Sequence, residues 1–128
     1  LLLILLINIF IDMNYNLQIA QQMLKYYDLQ NPIVENCQLD KEVQAFFSFD
    51  DGTIEICPDR LENEYEFKKA LLHEIKHAID AKEMSLQKFD EAYNNEFDRL
   101  DTLQRDGYWD NPYEVKAEKF AEREISKW

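Results

Sequence analysis

Basic residues are in short supply in this chain: 14 Lys and Arg stand against 26 Asp and Glu, a net charge of -12 over 128 residues. No basic cluster exists that could neutralise phosphates, so direct binding of nucleic acid is excluded as an expectation. Glycine and proline are scarce, two and three residues. They leave few points of sharp punctuation, and there is no low-complexity linker and no internal repeat. Cysteine occurs twice, at Cys37 and Cys57, and never as Cys-x-x-Cys. Their spacing gives no support to a disulfide, which stays the alternative, and the usage is expected of two reduced thiols in a cytoplasmic protein. A long apolar run is also missing. The stretch Leu1 to Ile11 is apolar apart from Asn8, but it is too short for an ordinary transmembrane helix. No basic residue precedes it and no small-residue cleavage site follows, so it makes a poor signal peptide. With Met13 close behind, residues 1–12 are expected to be an upstream extension or gene-calling artefact; the alternative is a short membrane anchor or a cut-off transmembrane segment. The length then predicts one domain over residues 13–128.

Histidine is as rare as cysteine, and its two copies are not scattered. They form His73-Glu74-Ile75-Lys76-His77. Two imidazoles four apart on a helix lie on one face, one turn above each other, and can reach a single ion. The Glu after the first His points to the same cavity and can take a proton from a water polarised by that ion. This is the pattern of a zinc hydrolase, with Glu74 as general base.

The surrounding pattern predicts a small α+β domain. A helix is expected over Met13 to Asp28, ended by Asn31-Pro32. Val43 to Phe49 and Thr53 to Cys57 read as two strands joined at Asp50-Asp51-Gly52. Glu64 to about Lys82 is the histidine-bearing helix. Ser85 to about Arg105 is a third helix, with Leu86, Phe89, Tyr93, Phe97, Leu100 and Leu103 as a core stripe, and Gly107 is expected to end it. Asn111-Pro112-Tyr113-Glu114 opens the last helix as a capping box.

A catalytic zinc site ordinarily takes three protein ligands and keeps a position open. Asp80 lies seven residues past His73, about 10 Å along a helix. It is therefore expected to orient a neighbour or to be solvated. Glu114 and Glu118 share a helix face with Ala117 and Ala121, whose small side chains allow close approach to another helix. Either carboxylate is a candidate third ligand; Glu114 could instead be spent on the capping box, and Glu118 on surface lysines.

The segments Gly52 to Cys57 and Ala70 to Asp80 resemble the small gluzincin-type zincin metallopeptidases. The His-Ala-x-Asp ending is similar to the mitochondrial peptidase of ATP-synthase assembly. The later Glu-x-x-Ala-x-x-Phe-Ala, Glu114 to Ala121, resembles the ImmA/IrrE family of phage and bacterial metallopeptidases. The resemblance covers roughly residues 43–82 and 111–124. It departs from the family pattern at Lys76, where smaller residues are usual, and at Glu118, where Asn is usual. It implies a zincin-like fold, Zn²⁺ held by His73, His77 and Glu114, and hydrolysis of a protein or peptide substrate. A non-catalytic regulatory or protein-binding domain that retains the fold is the alternative. Thr53 to Cys57 would offer its edge to an extended substrate, and Tyr108, Trp109 and Tyr113 would lie near the cleft.

Overall fold

The structure, a computed structural model, describes Leu3 and residues 16–40 and 42–128. The expected extension 1–12, Leu3 apart, and the first residues of the expected N-terminal helix lie outside the described residues. Among the described residues the architecture is α+β: four helices and a three-stranded mixed sheet.

Helix α1 covers residues 16–26 and buries Ala20, Met23 and Leu24. It stops before the Asn-Pro pair. Asp28 adopts φ 58°, and the Leu29 N–H turns back to the Leu24 carbonyl while Asp28 N–H bonds Lys25. This is a Schellman closure with Asp in the place usually taken by Gly.

Strands β1 (Ile33–Glu35), β2 (Ala45–Phe47) and β3 (Ile54–Ile56) pair in the order β1-β3-β2. The β2–β3 hairpin is antiparallel and turns at Gly52, whose φ of 76° suits a residue without Cβ. Ile54 and Ile56 are fully buried, as period-two alternation requires. β1 is an addition to the expected hairpin, paired parallel to β3. Three residues are too few to show a strand period. β3 is therefore the central strand, and its edge is not available to a substrate. Among the described residues the free edges belong to β1 and β2.

That parallel register also corrects the expectation for the cysteines. Glu35 sits opposite Ile56, so the chain just beyond each strand runs side by side. Cys37 and Cys57 meet with Cα atoms 4.7 Å apart and form a disulfide. The reduced-thiol argument for a cytoplasmic location falls with it. Beside the bridge, Arg60 donates to the carbonyls of Cys37, Leu39, Asp40 and Val43 at 2.5–3.0 Å. Disulfide and guanidinium together hold the loop that leads into β2.

Helix α2 (Glu64–Met84) starts at Asn63, whose side chain accepts from the Glu66 N–H, with Glu64 and Glu66 at the positive end of the helix dipole. Phe67, Leu71, Leu72, Ile75 and Ala78 bury its inner face. Ser85 alone separates it from α3 (Leu86–Thr102). Ser85 has φ 79° and ψ 151°, a region natural to glycine, at a cost of about 1–3 kcal/mol. The sharp corner folds α3 back over α2. Phe89 and Leu100 are buried there, but Phe97 and Leu103 are 43% and 56% exposed, so the expected core stripe is only partly a core. Gly107 does not end this helix; it makes room for Phe97, whose ring would lie 2.5 Å from a Cβ at that position.

Helix α4 (Pro112–Glu124) packs along α2 through Ala117 and Ala121, both fully buried. Its cap is Asn111, which accepts from the Tyr113 N–H, while the Asn111 N–H itself bonds the Tyr108 carbonyl. Glu114 is thereby released from the capping box. No helix among the described residues is long and apolar enough to cross a membrane.

Candidate metal centre

His73 and His77 project from one face of α2, their rings 5.1 Å apart. Across the α2–α4 interface Glu114 points between them. Its Oε1 lies 3.0 Å from His73 Nε2 and 2.5 Å from His77 Nε2. One potential ligand atom from each of the three residues falls within 4.8 Å of the other two. Glu114 and His77 are buried, and the ring of His77 is walled by Phe47 and Phe89.

Charge is distributed accordingly. Burial works to raise the Glu114 pKa, but the hydrogen bonds and charges of His73 and His77 outweigh it and hold the carboxyl down to about 2. Burial likewise opposes protonation of His73, yet its bond to Glu114, the charges of Glu74 and Glu114 and the bond to Glu118 raise it to about 9. The centre therefore holds a proton on His73 where a divalent ion would otherwise balance the carboxylate. Two imidazoles and one carboxylate converging in this way form a donor set suited to catalytic zinc. A metal takes neutral imidazole, so it would displace that proton.

Glu118 stands one turn beyond Glu114. Its Oε2 lies 3.1 Å from His73 Nδ1 and its Oε1 3.6 Å from Lys69 Nζ. It is outside the three-residue cluster and acts on His73 instead: accepting from Nδ1–H, it leaves Nε2 facing the centre. His77 Nδ1 is buried and has no such partner among the described residues. Asp80 takes no part; its Oδ1 accepts from Lys76 Nζ at 2.7 Å, and two helical turns separate it from His73. Lys76 is thereby drawn to Asp80.

Glu74 is buried against the cleft that opens over the cluster. Burial raises its pKa, opposed by the charges of His77 and His73 and reinforced by Glu114. That is the direction a general base needs to work near neutral pH. The cleft has a volume of about 680 Å³; the chain from Glu42 to Phe47 forms one wall, and Tyr108 and Trp109 line it as well. Tyr113 packs instead against Phe89 and Tyr93.

Sequence reasoning placed Tyr93 among ordinary core contacts. Its hydroxyl in fact donates to Glu114 Oε2 at 2.9 Å. The only signal for this was its position on the inner face of α3, which it shares with plain packing residues.

Compared with family models, with curated proteins and with solved structures, the chain matches none.

Proposed function

We propose that this chain is a zinc-dependent endopeptidase built on a zincin-like plan. The observation that carries the reading is the convergence of His73 Nε2, His77 Nε2 and Glu114 Oε1 at the floor of an open cleft beside a buried glutamate. The resemblance of residues 70–80 and 114–121 to gluzincin peptidases supports the same reading.

His73 and His77, both neutral, and ionised Glu114 would hold the ion. Zinc, when bound, supplies a Lewis acid for the substrate carbonyl and lowers the pKa of water to about 7. Glu74 takes the proton of the attacking water and returns it to the leaving amine. Glu118 keeps His73 in the tautomer that presents Nε2. The free edge of β2 gives an extended peptide a backbone to pair with, and its residues line the same cleft.

The test is elemental analysis of the purified chain together with cleavage of unfolded casein. Zinc near one equivalent and chelator-sensitive cleavage are expected. Glu74→Gln should keep its zinc and lose activity by about 10²–10⁴-fold. Undiminished cleavage by Glu74→Gln removes Glu74 from its role. Zinc retained without any cleavage by the parent chain favours a regulatory or protein-binding domain that keeps its metal.

A further inference from the structure

Helix α3 carries none of the three cluster residues, yet one of its residues is tied twice to the first turn of α4. Tyr93 Oη donates to Glu114 Oε2, the carboxylate oxygen that does not face the histidines (2.9 Å). In the opposite direction Asn111 Nδ2 donates to the Tyr93 carbonyl (3.3 Å). The other end of that same amide caps α4, and Asn111 is fully buried. The side chain and the main chain of Tyr93 thus grip two points three residues apart on α4.

Packing sets the reach of the hydroxyl. The Tyr93 ring lies 5.2 Å from Phe49, 6.3 Å from Phe89 and 6.4 Å from Tyr113, which stacks on it. A tyrosine hydroxyl is ordinarily protonated at neutral pH, so in this bond it is the donor and the carboxylate the acceptor. A carboxylate with one oxygen engaged in this way has the other to offer. Without the bond it could rotate, or present both oxygens at once.

We propose that Tyr93 is a positioning residue of the metal centre: together with Asn111 it holds Glu114 so that Oε1 alone is presented to the ion shared with His73 and His77. This rests on the metal-centre reading above.

The test uses the full chain carrying Tyr93→Phe, which keeps the ring and removes the hydroxyl. Zn²⁺ affinity is read by chelator competition, and coordination by the visible spectrum of the Co²⁺-loaded protein. Zn²⁺ affinity should fall by about 10–100-fold, the range for lost outer-shell partners. The Co²⁺ bands should shift as the freed carboxylate changes its mode of binding, while far-UV circular dichroism stays unchanged. Tyr113→Phe, which strips the hydroxyl from the stacked neighbour, should alter neither affinity nor bands. Tyr93→Phe with the parent's affinity and bands overturns the assignment. So does a loss of affinity with unchanged bands, which marks packing alone, or an equal effect from Tyr113→Phe. If the parent chain takes up neither ion, the metal-centre reading fails and this role with it. Tight binding by the parent and an indifferent Tyr93→Phe sinks the positioning role alone.

Discussion

Helices α2 and α3 are neighbours of similar length, 21 and 17 residues, but they sit very differently. α2 is enclosed by the sheet, α3 and α4, and buries nine residues, three of them polar or charged: Glu74, His77 and Asp80. α3 lies outside and buries only Phe89 and Leu100. Removing polar groups from water is costly unless they are paired. Of these, His77 finds its partner on another element, Glu114 of α4, whereas Asp80 finds Lys76 on its own helix. The surface helix reaches the same centre with one hydrogen bond, from the Tyr93 hydroxyl, and with the Phe89 ring against His77. The contrast separates a helix that needs its neighbours to satisfy its chemistry from one that needs them mainly for a narrow apolar seam.

The largest expected difference between the two helices is in stability. Leu71→Ala, at a fully buried position of α2, should cost about 2–5 kcal/mol in urea unfolding. Leu103→Ala, at the exposed end of α3, should stay within about 0.5 kcal/mol. Equal losses would show that the outer helix contributes to the core no less than the inner one.

A second contrast lies within α4. Glu114→Ala removes a residue of the cluster and should weaken Zn²⁺ binding by more than about 100-fold. Glu118→Ala removes only the partner of His73 Nδ1 and should weaken it by roughly 10-fold. Isothermal titration measures both, and the reverse ranking would make Glu118 the ligand.

The last contrast is between the two partners of one bond, His73 and Glu114, and shows as a pH dependence. In the metal-free protein His73 is raised to about 9 from 6.5, so its pairing stabilises the fold fully below pH 6.5 and is lost as pH rises through 9. Glu114 is lowered to about 2 from 4.5, so its contribution is complete above pH 4.5 and is lost as pH falls through 2. Zn²⁺ must displace the His73 proton, so affinity should climb by up to about tenfold per unit from pH 6.5 to 9. Calorimetry in buffers of differing ionisation enthalpy should find about one proton released per ion at pH 7. Release of none would mean that His73 is neutral before the metal arrives.

How much of this was legible beforehand follows the range of the interactions. The histidine pair was plain because helical geometry links residues four apart, whatever surrounds them. The β2–β3 hairpin was legible for the same reason, since Asp51-Gly52 encodes a local reversal. The exposed Phe97 and Leu103 were misread because a helical stripe marks one face and not what covers it. β1 was missed because a three-residue strand is defined by its partner. With β1 missing, the register that joins Cys37 to Cys57 could not be seen either.

The linear order of residues by itself determined the facing imidazoles, the adjacent Glu74, the hairpin turn and the cap at Asn111, since each depends on contacts within about one turn of chain. Only the tertiary structure decided between capping box and cluster for Glu114, gave Glu118 its place beside His73, and brought Tyr93 to the far side of the carboxylate. Those choices depend on which side chains α2, α3 and α4 bring together once their apolar faces are buried. Residues tens of positions apart meet there for reasons that no local pattern carries.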